Sequence, residues 1–349
     1  MLAKVISGAT IGLETVPVEV EVDVNNQGLP SFTIVGLPNK AVEEAKERVR
    51  AAIRNSGAEF PTHRITVNLA PADLPKEGPA YDLPIALGLL LASGQLKADL
   101  SDALFFGELS LDGSLRHTSA ILPMALLAKS QKIKRLFLPA VNAHEAALVK
   151  KIKIFPVTSL LSLFNHLTGF EEIKTQPPTN FKSLVSQFEV EFDMAEVKGQ
   201  EQAKRVLEIV AAGGHNVFMK GVPGAGKTML ARALPGILPE LTEEEALEVT
   251  KIYSITGKLS DENSIVKQRP FCSPHHNDFQ NWFSWWWQST FTWGNFFSSS
   301  WYFISGRISR ISSSCFRSLK TAFGRWSSNY FSCCGNNFLS CPFSFGGGN

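Results

Sequence analysis

The stretch GVPGAGKT, residues 221–228, decides how the sequence around it folds. Gly221, Gly226, Lys227 and Thr228 fit the spacing G-x-x-x-x-G-K-[ST], with Val222, Pro223, Gly224 and Ala225 between them. Glycines let consecutive backbone N–H groups turn inward around phosphate oxygens, and a helix that follows points its positive end at the same charge. The flanks supply that setting: NVFMK before the loop reads as a short apolar strand and MLARAL after it as a helix. A glycine turn with an incidental lysine would need neither. The spacing therefore predicts a phosphate loop in which all eight residues cradle ATP, Lys227 reaches the β and γ phosphates, and the Thr228 hydroxyl ligates Mg²⁺.

Working outward, EQAKRVLEIV places Ala203, Val206, Leu207 and Val210 on one helical stripe. Before it, EEIKTQPPTNFKSLVSQFEVEF is polar and carries Pro177 and Pro178, which predicts a linker over 166–190. The N-terminal part is more regular. In VPVEVEVDV, Val16, Val18, Val20, Val22 and Val24 alternate with Pro17, Glu19, Glu21 and Asp23, the period of a strand with one buried face. SFTIV reads as a second strand stopped by Gly36 and Pro38. AVEEAKERVRAAIRNSG puts Val42, Ala45, Val49 and Ile53 on one helical face. RITVNLAP, YDLPIALGLLLASG, PMALLAKSQK and IKRLFLP then read as strand, buried helix, helix and strand. Residues 1–165 form one α/β domain in this reading, and residues 191–276 begin a second one built on the phosphate loop.

The charge balance breaks at His276. Up to that point 31 acidic and 29 basic residues are mixed, whereas beyond it Asp278 is the one acid against Arg307, Arg310, Arg317, Lys320 and Arg325. The overall charge of +2 is a tail effect and says nothing about nucleic acid. All seven Trp and four of the five Cys also fall in residues 277–349. Cys272 alone interrupts a cysteine-free body, which suits a reducing, cytoplasmic compartment rather than a disulfide framework. No stretch reaches 18 uninterrupted apolar residues, so neither a signal peptide nor a membrane span is expected.

EVKGQEQAKRVLEIVAAGGHN followed by GVPGAGKT resembles the magnesium-chelatase-like AAA+ ATPases, in particular their ComM competence-protein branch. RPFCSPHH, residues 269–276, is similar to that family's RPFRSPHH stretch, with Cys272 where the family has Arg. Cys272, His275 and His276 also invite a metal reading, but two adjacent histidines and one cysteine lack a fourth ligand. The resemblance extends to residues 1–165 and implies a Lon-protease-like, ribosomal-S5-domain-2-like fold there, ahead of a truncated P-loop AAA+ domain. PADLPKEGPAYDLPIALGL looks like the Lon segment in which the nucleophilic Ser follows a Gly-Pro pair, yet Gly78 and Pro79 precede Ala80. Leu122 falls where the general-base Lys should stand. A methyl and an isobutyl group provide neither hydroxyl nor base, so no catalytic dyad is expected and no catalytic residue is assigned. Lys76, Lys129 and Lys132 are expected as solvated charges.

The resemblance stops after His276, where TISxIGLxGGG is expected and NDFQNWFSWWWQ stands. Tryptophan has a single codon, TGG, and reading it one base later always gives GGN, a glycine codon. With permitted synonymous codons NDFQNWFSWWW shifts to TISKIGLVGGG, WYFISGRISRIS to GILFLDEFPEFP and CFRSLKTAFGRW to VLEALRQPLEDG. The forced positions decide: Trp282, Trp285, Trp286, Trp287, Trp301 and Trp326 all fall where the shifted text wants Gly. Residues 277–349 are therefore expected to be a frameshifted translation, with no in-frame Walker B Asp and Glu and nothing that supplies sensor residues, an arginine finger or a lid.

The resemblance implies an ancestral ATP-driven ring motor linked to DNA processing in natural transformation, binding ATP and Mg²⁺, with DNA as a partner and no membrane. As written, the chain is expected to bind nucleotide weakly at best, to lack hydrolysis and to form no ring. Two other readings stand beside this one. A chelatase-type ATPase subunit is the first, which the fused Lon-like domain disfavours; a partner-binding module in residues 1–165 that works without nucleotide is the second.

Overall fold

The computed structural model describes residues 2–25, 29–179, 192–215, 217–259, 265–267 and 269–272, together with the strand residues 302–303 and 339–342. Apart from residues 302–303 and 339–342, the stretch expected to be frameshifted lies outside the described residues, as do His275 and His276. The chain groups into two compact units, Met1–Leu184 with Leu247–Val266, and Val185–Ala246 with Lys267–Asn349.

The first unit is built on a mixed seven-stranded sheet. Strands β1 (Leu2–Ile11) and β2 (Glu14–Asn25) form an antiparallel hairpin, with Val5 opposite Val20. On one side β2 pairs antiparallel with β4 (Arg64–Ala70), and β4 pairs in parallel with β3 (Ser31–Val35). On the other side β5 (Ala103–Phe105), β8 (Arg135–Pro139) and β9 (Lys153–Val157) follow β1 in parallel, giving the order β3-β4-β2-β1-β5-β8-β9. A two-stranded ribbon of β6 (Glu108–Leu109) and β7 (Leu115–Arg116) lies outside that sheet.

The valine alternation does what its period requires. Val18, Val20, Val22 and Val24 are buried with Ile65, Val67 and Leu69 of β4. Opposite them, Glu19 and Glu21 hold Lys4 at 2.8 and 3.0 Å, and Asn68 donates to Glu21 at 2.9 Å. Helix α1 (Lys40–Asn55) buries the expected stripe Val42, Ala45, Val49 and Ile53 and is capped by Asn39, whose side chain accepts from the Val42 N–H. Helix α2 (Asp82–Ala92) is apolar all round and buried over almost its whole length, so it has no amphipathic period. Gly88 lets it press on the hairpin: a Cβ there would stand 2.5 Å from Val22 Cγ2. Helix α3 (Ile121–Ser130) covers the opposite face of β1, because a Cβ at Gly8 would meet Met124 Sδ at 2.6 Å, and Val5 and Gly8 point to opposite faces by parity. β1 is thus central and covered on both sides, which explains why its sequence does not alternate.

Three findings were not readable from composition. The short helix α4 (Ala143–Ala146) brings Glu145 into the interior. After helix α5 (Leu160–Thr168), the start of the expected linker is tied back onto the first unit: Gln176 N–H bonds Ile154 O at 2.9 Å and Thr179 N–H bonds Ala147 O at 3.0 Å. Lys76, expected in solvent, is fully buried, its ammonium bonded to the Pro71 carbonyl and its pKa lowered by that burial. A carbonyl partner and a dry environment have replaced the hydration that the composition of its neighbourhood suggested. Lys129 and Lys132 are exposed as expected.

In the second unit, helix α6 (Glu201–Gly213) precedes β10 (Val217–Lys220), and β10 leads through the glycine-rich loop into α7 (Lys227–Ile237). Val197, Ala203, Leu207, Ala211, Leu230 and Leu234 form its core. β10 pairs in parallel with Leu339–Pro342, and Phe271–Cys272 with Tyr302–Phe303. Helix α8 (Glu243–Ile255) follows α7; its residues Glu243–Ala246 group with the second unit and Leu247–Ile255 with the first.

Candidate functional site

The residues that the sequence nominates are brought together. Loop 221–226 runs directly from β10 into α7, and Gly226 is the residue that precedes the first turn of the helix. Gly224 and Gly226 adopt φ of +81° and +80°, the left-handed region, and a Cβ at either would meet nothing within 4 Å. The requirement for glycine here is conformational, not a matter of crowding. That combination leaves an exposed loop at a helix N-terminus whose cap residue offers no side-chain hydrogen bond. The N–H groups of the first turn are the donors such a loop would present to an anion.

Lys227 and Thr228 open α7. The Lys227 ammonium donates to Gly221 O at 3.0 Å and to Val222 O at 2.7 Å, so it arches over the loop it would help fill. A phosphate bound at the loop would compete with those two carbonyls for the same ammonium, a neutral-for-charged exchange that favours the anion. Thr228 is exposed, as are Gly221, Val222, Pro223 and Gly224, whereas Ala225 is buried and anchors the loop. Leu230 and Leu234 pin the opposite face of α7 into the core with Leu207 and Ala211 of α6. The residues fit a nucleoside phosphate: one ammonium, one hydroxyl and an open run of backbone donors on a rigid base.

The Lon-like positions hold no comparable set. Ala80 is buried, and its carbonyl accepts from Gly107 N–H at 3.0 Å; Leu122 is buried in the first turn of α3. Beside them Asp82 is fully buried and gripped by Arg48, with Nε to Oδ2 at 2.7 Å and Nη2 to Oδ1 at 3.0 Å. Leu109 N–H adds a third bond at 3.3 Å. Burial pushes the Asp82 carboxyl up to about 6 against the downward pull of Arg48. Its oxygens are occupied and enclosed, which makes it an interior brace between α1 and α2. A cleft of this unit lies elsewhere, beside Arg54, Glu59, His63 and Gln95, where Gln95 spends its amide on the Glu59 backbone at 2.9 and 2.7 Å. Among the described residues, no group of three or more His, Cys, Asp or Glu is placed to hold a metal ion, and no helix is long and apolar enough to cross a membrane.

A family model described as subunit ChlI of Mg-chelatase matches residues 20–142, and one described as magnesium chelatase, subunit ChlI, matches residues 193–281. The chain is 44% identical over 284 residues to competence protein ComM of Haemophilus influenzae, a match covering 79% of this chain and 54% of that protein. It is 44% identical over 280 residues to the uncharacterized protein YifB of Escherichia coli, covering 79% and 53%. Lon protease 2 of Bacillus subtilis is 24% identical over 165 residues, 46% of this chain and 29% of that enzyme. The chain thus spans about half the length of these two relatives.

Proposed function

For a chain that belongs to the magnesium-chelatase ChlI-like family, we propose that residues 221–228 bind ATP with Mg²⁺ in the manner of an AAA+ ATPase. The carrying observation is the loop itself: two left-handed glycines, an ammonium resting on loop carbonyls and an exposed hydroxyl, all on the N-terminal turn of a helix. In this reading Lys227 leaves Gly221 O and Val222 O for the β and γ phosphates, and the Thr228 hydroxyl turns to the cation. Bound Mg²⁺ would neutralise phosphate charge. Titration of the full chain with a fluorescent ATP analogue, with and without Mg²⁺, tests this; binding that is equal in Lys227→Ala sinks it.

The activity assigned by ancestry is that of an ATP-driven ring motor linked to DNA processing during natural transformation, the role suggested by similarity to a competence protein. The N-terminal Lon-like unit serves it as a non-proteolytic module, since Ala80 and Leu122 offer neither nucleophile nor base. The tail beyond about residue 276 is a shifted reading frame, which leaves the ATP site without its hydrolytic carboxylates. In support, the aligned share of 79% of 349 residues equals about the length that precedes the tail. The chain as written therefore holds nucleotide without turning it over. Restoring the ILFLDEFPEF frame should return ATPase activity and ring assembly together. Sequencing the DNA across codon 277 decides the frame, and Lys227-dependent hydrolysis by the unrepaired chain would contradict the inactive reading.

A further inference from the structure

The strap 171–179, which follows α5, is held to the first unit by backbone bonds of Gln176 and Thr179 and by two histidines. Gln176 makes an antiparallel bridge to Ile154, so the strap runs along the outer edge of β9, the last strand of the seven-stranded sheet. The Ile173 N–H donates to His166 Nδ1 at 3.1 Å. A backbone N–H can only donate, so this bond exists only while Nδ1 carries no proton. His144 Nδ1 lies 3.2 Å from Gln176 Nε2, but a side-chain amide can turn either its oxygen or its nitrogen to the ring, so that contact survives a proton. The two histidines therefore differ in what they tolerate: a proton on His144 leaves its contact in place, and a proton on His166 Nδ1 removes one bond of the strap.

The place of His166 in the fold favours the proton that its bond to the strap forbids. It lies in the last turn of α5, where the carbonyl end of the helix stabilises a cation. Its ring packs on Phe155 and Phe137, with centroids 5.2 and 5.8 Å away, so the imidazole stays in position when it is protonated. The charged groups on the elements around it are Arg135 of β8, which Asp102 holds, Lys153 of β9, and Glu171, Glu172 and Lys174 of the strap. Among the described residues none of these hydrogen-bonds or ion-pairs with the imidazole. We propose that His166 is a proton-sensitive latch: a proton taken from solvent at Nδ1 sets N–H against N–H, frees the strap at Ile173 and Gln176, and uncovers the edge of β9. An uncovered edge presents unpaired backbone groups to any extended segment, so the latch controls access to that strand. The bond is complete while the ring is neutral and is lost as pH falls through the range in which histidine titrates.

The experiment is amide hydrogen exchange of the full chain at about pH 8 and about pH 5, on either side of the histidine range, read residue by residue and divided at each pH by the rate of an unstructured chain. Protection at Ile173 and Gln176 should fall by about fivefold to tenfold on acidification, while amides of β2 such as Val20 show no such fall. His166→Phe keeps a ring against Phe155 and Phe137 but has no acceptor, so its Ile173 amide should be weakly protected at both pH values. His144→Ala should leave the fall at Ile173 in place. Equal protection of Ile173 at the two pH values in the unsubstituted chain overturns the latch, as does a fall that persists in His166→Phe or disappears in His144→Ala. A fall at Ile173 with Gln176 unchanged overturns the uncovering of β9. The comparison within the unsubstituted chain needs no variant, so it decides even where His166→Phe does not fold.

Discussion

Two helix N-termini in this protein start from the same geometry and end in opposite chemistry. Ala120 before α3 and Gly226 before α7 both sit in the left-handed region, at φ of 65° and 80°, and neither provides a side-chain cap. At α3 the chain supplies its own anion, as Glu145 accepts the Leu122 N–H and Ser254 O takes the Ala120 N–H. At α7 the cap residue makes no side-chain hydrogen bond, and among the described residues no carboxylate takes the place that Glu145 holds at α3. The dipole physics is common to both; what differs is whether the partner is covalently part of the chain. A sealed helix end is a joint, and an uncapped one is what the proposed nucleotide site requires.

The largest expected effect tests how far the first unit depends on internally satisfied charge. Arg48→Met leaves the fully buried Asp82 carboxylate with the Leu109 N–H as its remaining protein donor. Stranding a buried charge costs about 3–5 kcal/mol, read as a lowered denaturation midpoint at neutral pH, while nucleotide affinity stays unchanged. Lys227→Ala at the open end should behave in the reverse sense. Losing a charge-assisted bond worth about 1.5–3 kcal/mol weakens nucleotide by roughly tenfold to a hundredfold, with no change in the ligand-free melt.

The Asp82 carboxyl also gives the comparison a pH dependence. Burial raises its folded-state pKa to about 6, above its ordinary value, so the folded protein binds this proton more tightly than the unfolded chain does. The penalty of ionising it is absent below the ordinary carboxylate range and grows as pH rises through about 6. Stability at this site should fall by on the order of 1–3 kcal/mol across that window, and Asp82→Asn should flatten the profile. The deficit of Arg48→Met should shrink toward pH 4, where the stranded carboxyl is neutral. A deficit independent of pH would remove Asp82 from the account.

The open end was legible in the sequence and the sealed end was not, for a physical reason. A phosphate loop is local: eight consecutive residues between a strand and a helix specify it, so Gly221, Lys227 and Thr228 could be named outright. The valine alternation of β2 and the stripe of α1 are equally local. Glu145, by contrast, acts on Leu122 from 23 residues away and receives Ser254 from 109 residues away. Nothing in AHEAAL marks its carboxyl as a cap. The same holds for Lys76, whose partner is Pro71 O, and for Leu247–Val266, which sits within the stretch matched to the chelatase model yet groups with the first unit. β1 escaped for another reason: with helices on both faces, its small residues Ala3, Ser7, Gly8 and Ala9 carry no period.

The smallest effect separates the two N-termini most finely. Ala120 is an L-residue at φ 65° and ψ 28°, a conformation that costs about 1 kcal/mol relative to glycine. Replacing it by Gly relieves that strain, but it also frees the unfolded chain by about 0.4–1 kcal/mol and removes a buried methyl. The terms nearly cancel, so Ala120→Gly should lie within about 0.5 kcal/mol of the unsubstituted chain. Ala128→Gly, in the interior of the same helix and equally buried, has no strain to relieve and should cost about 1 kcal/mol or more. At Gly226 the exchange runs the other way, because Ala there acquires the left-handed strain without gaining any contact. Gly226→Ala should therefore lower the stability of the ligand-free protein by about the 1 kcal/mol of that strain. Equal costs for Ala120→Gly and Ala128→Gly would mean that Ala120 carries no strain. In that case the bonds from Glu145 and Ser254 would not be holding an unfavourable backbone in place, and the sealed end would be a resting conformation of α3 that the two residues merely touch.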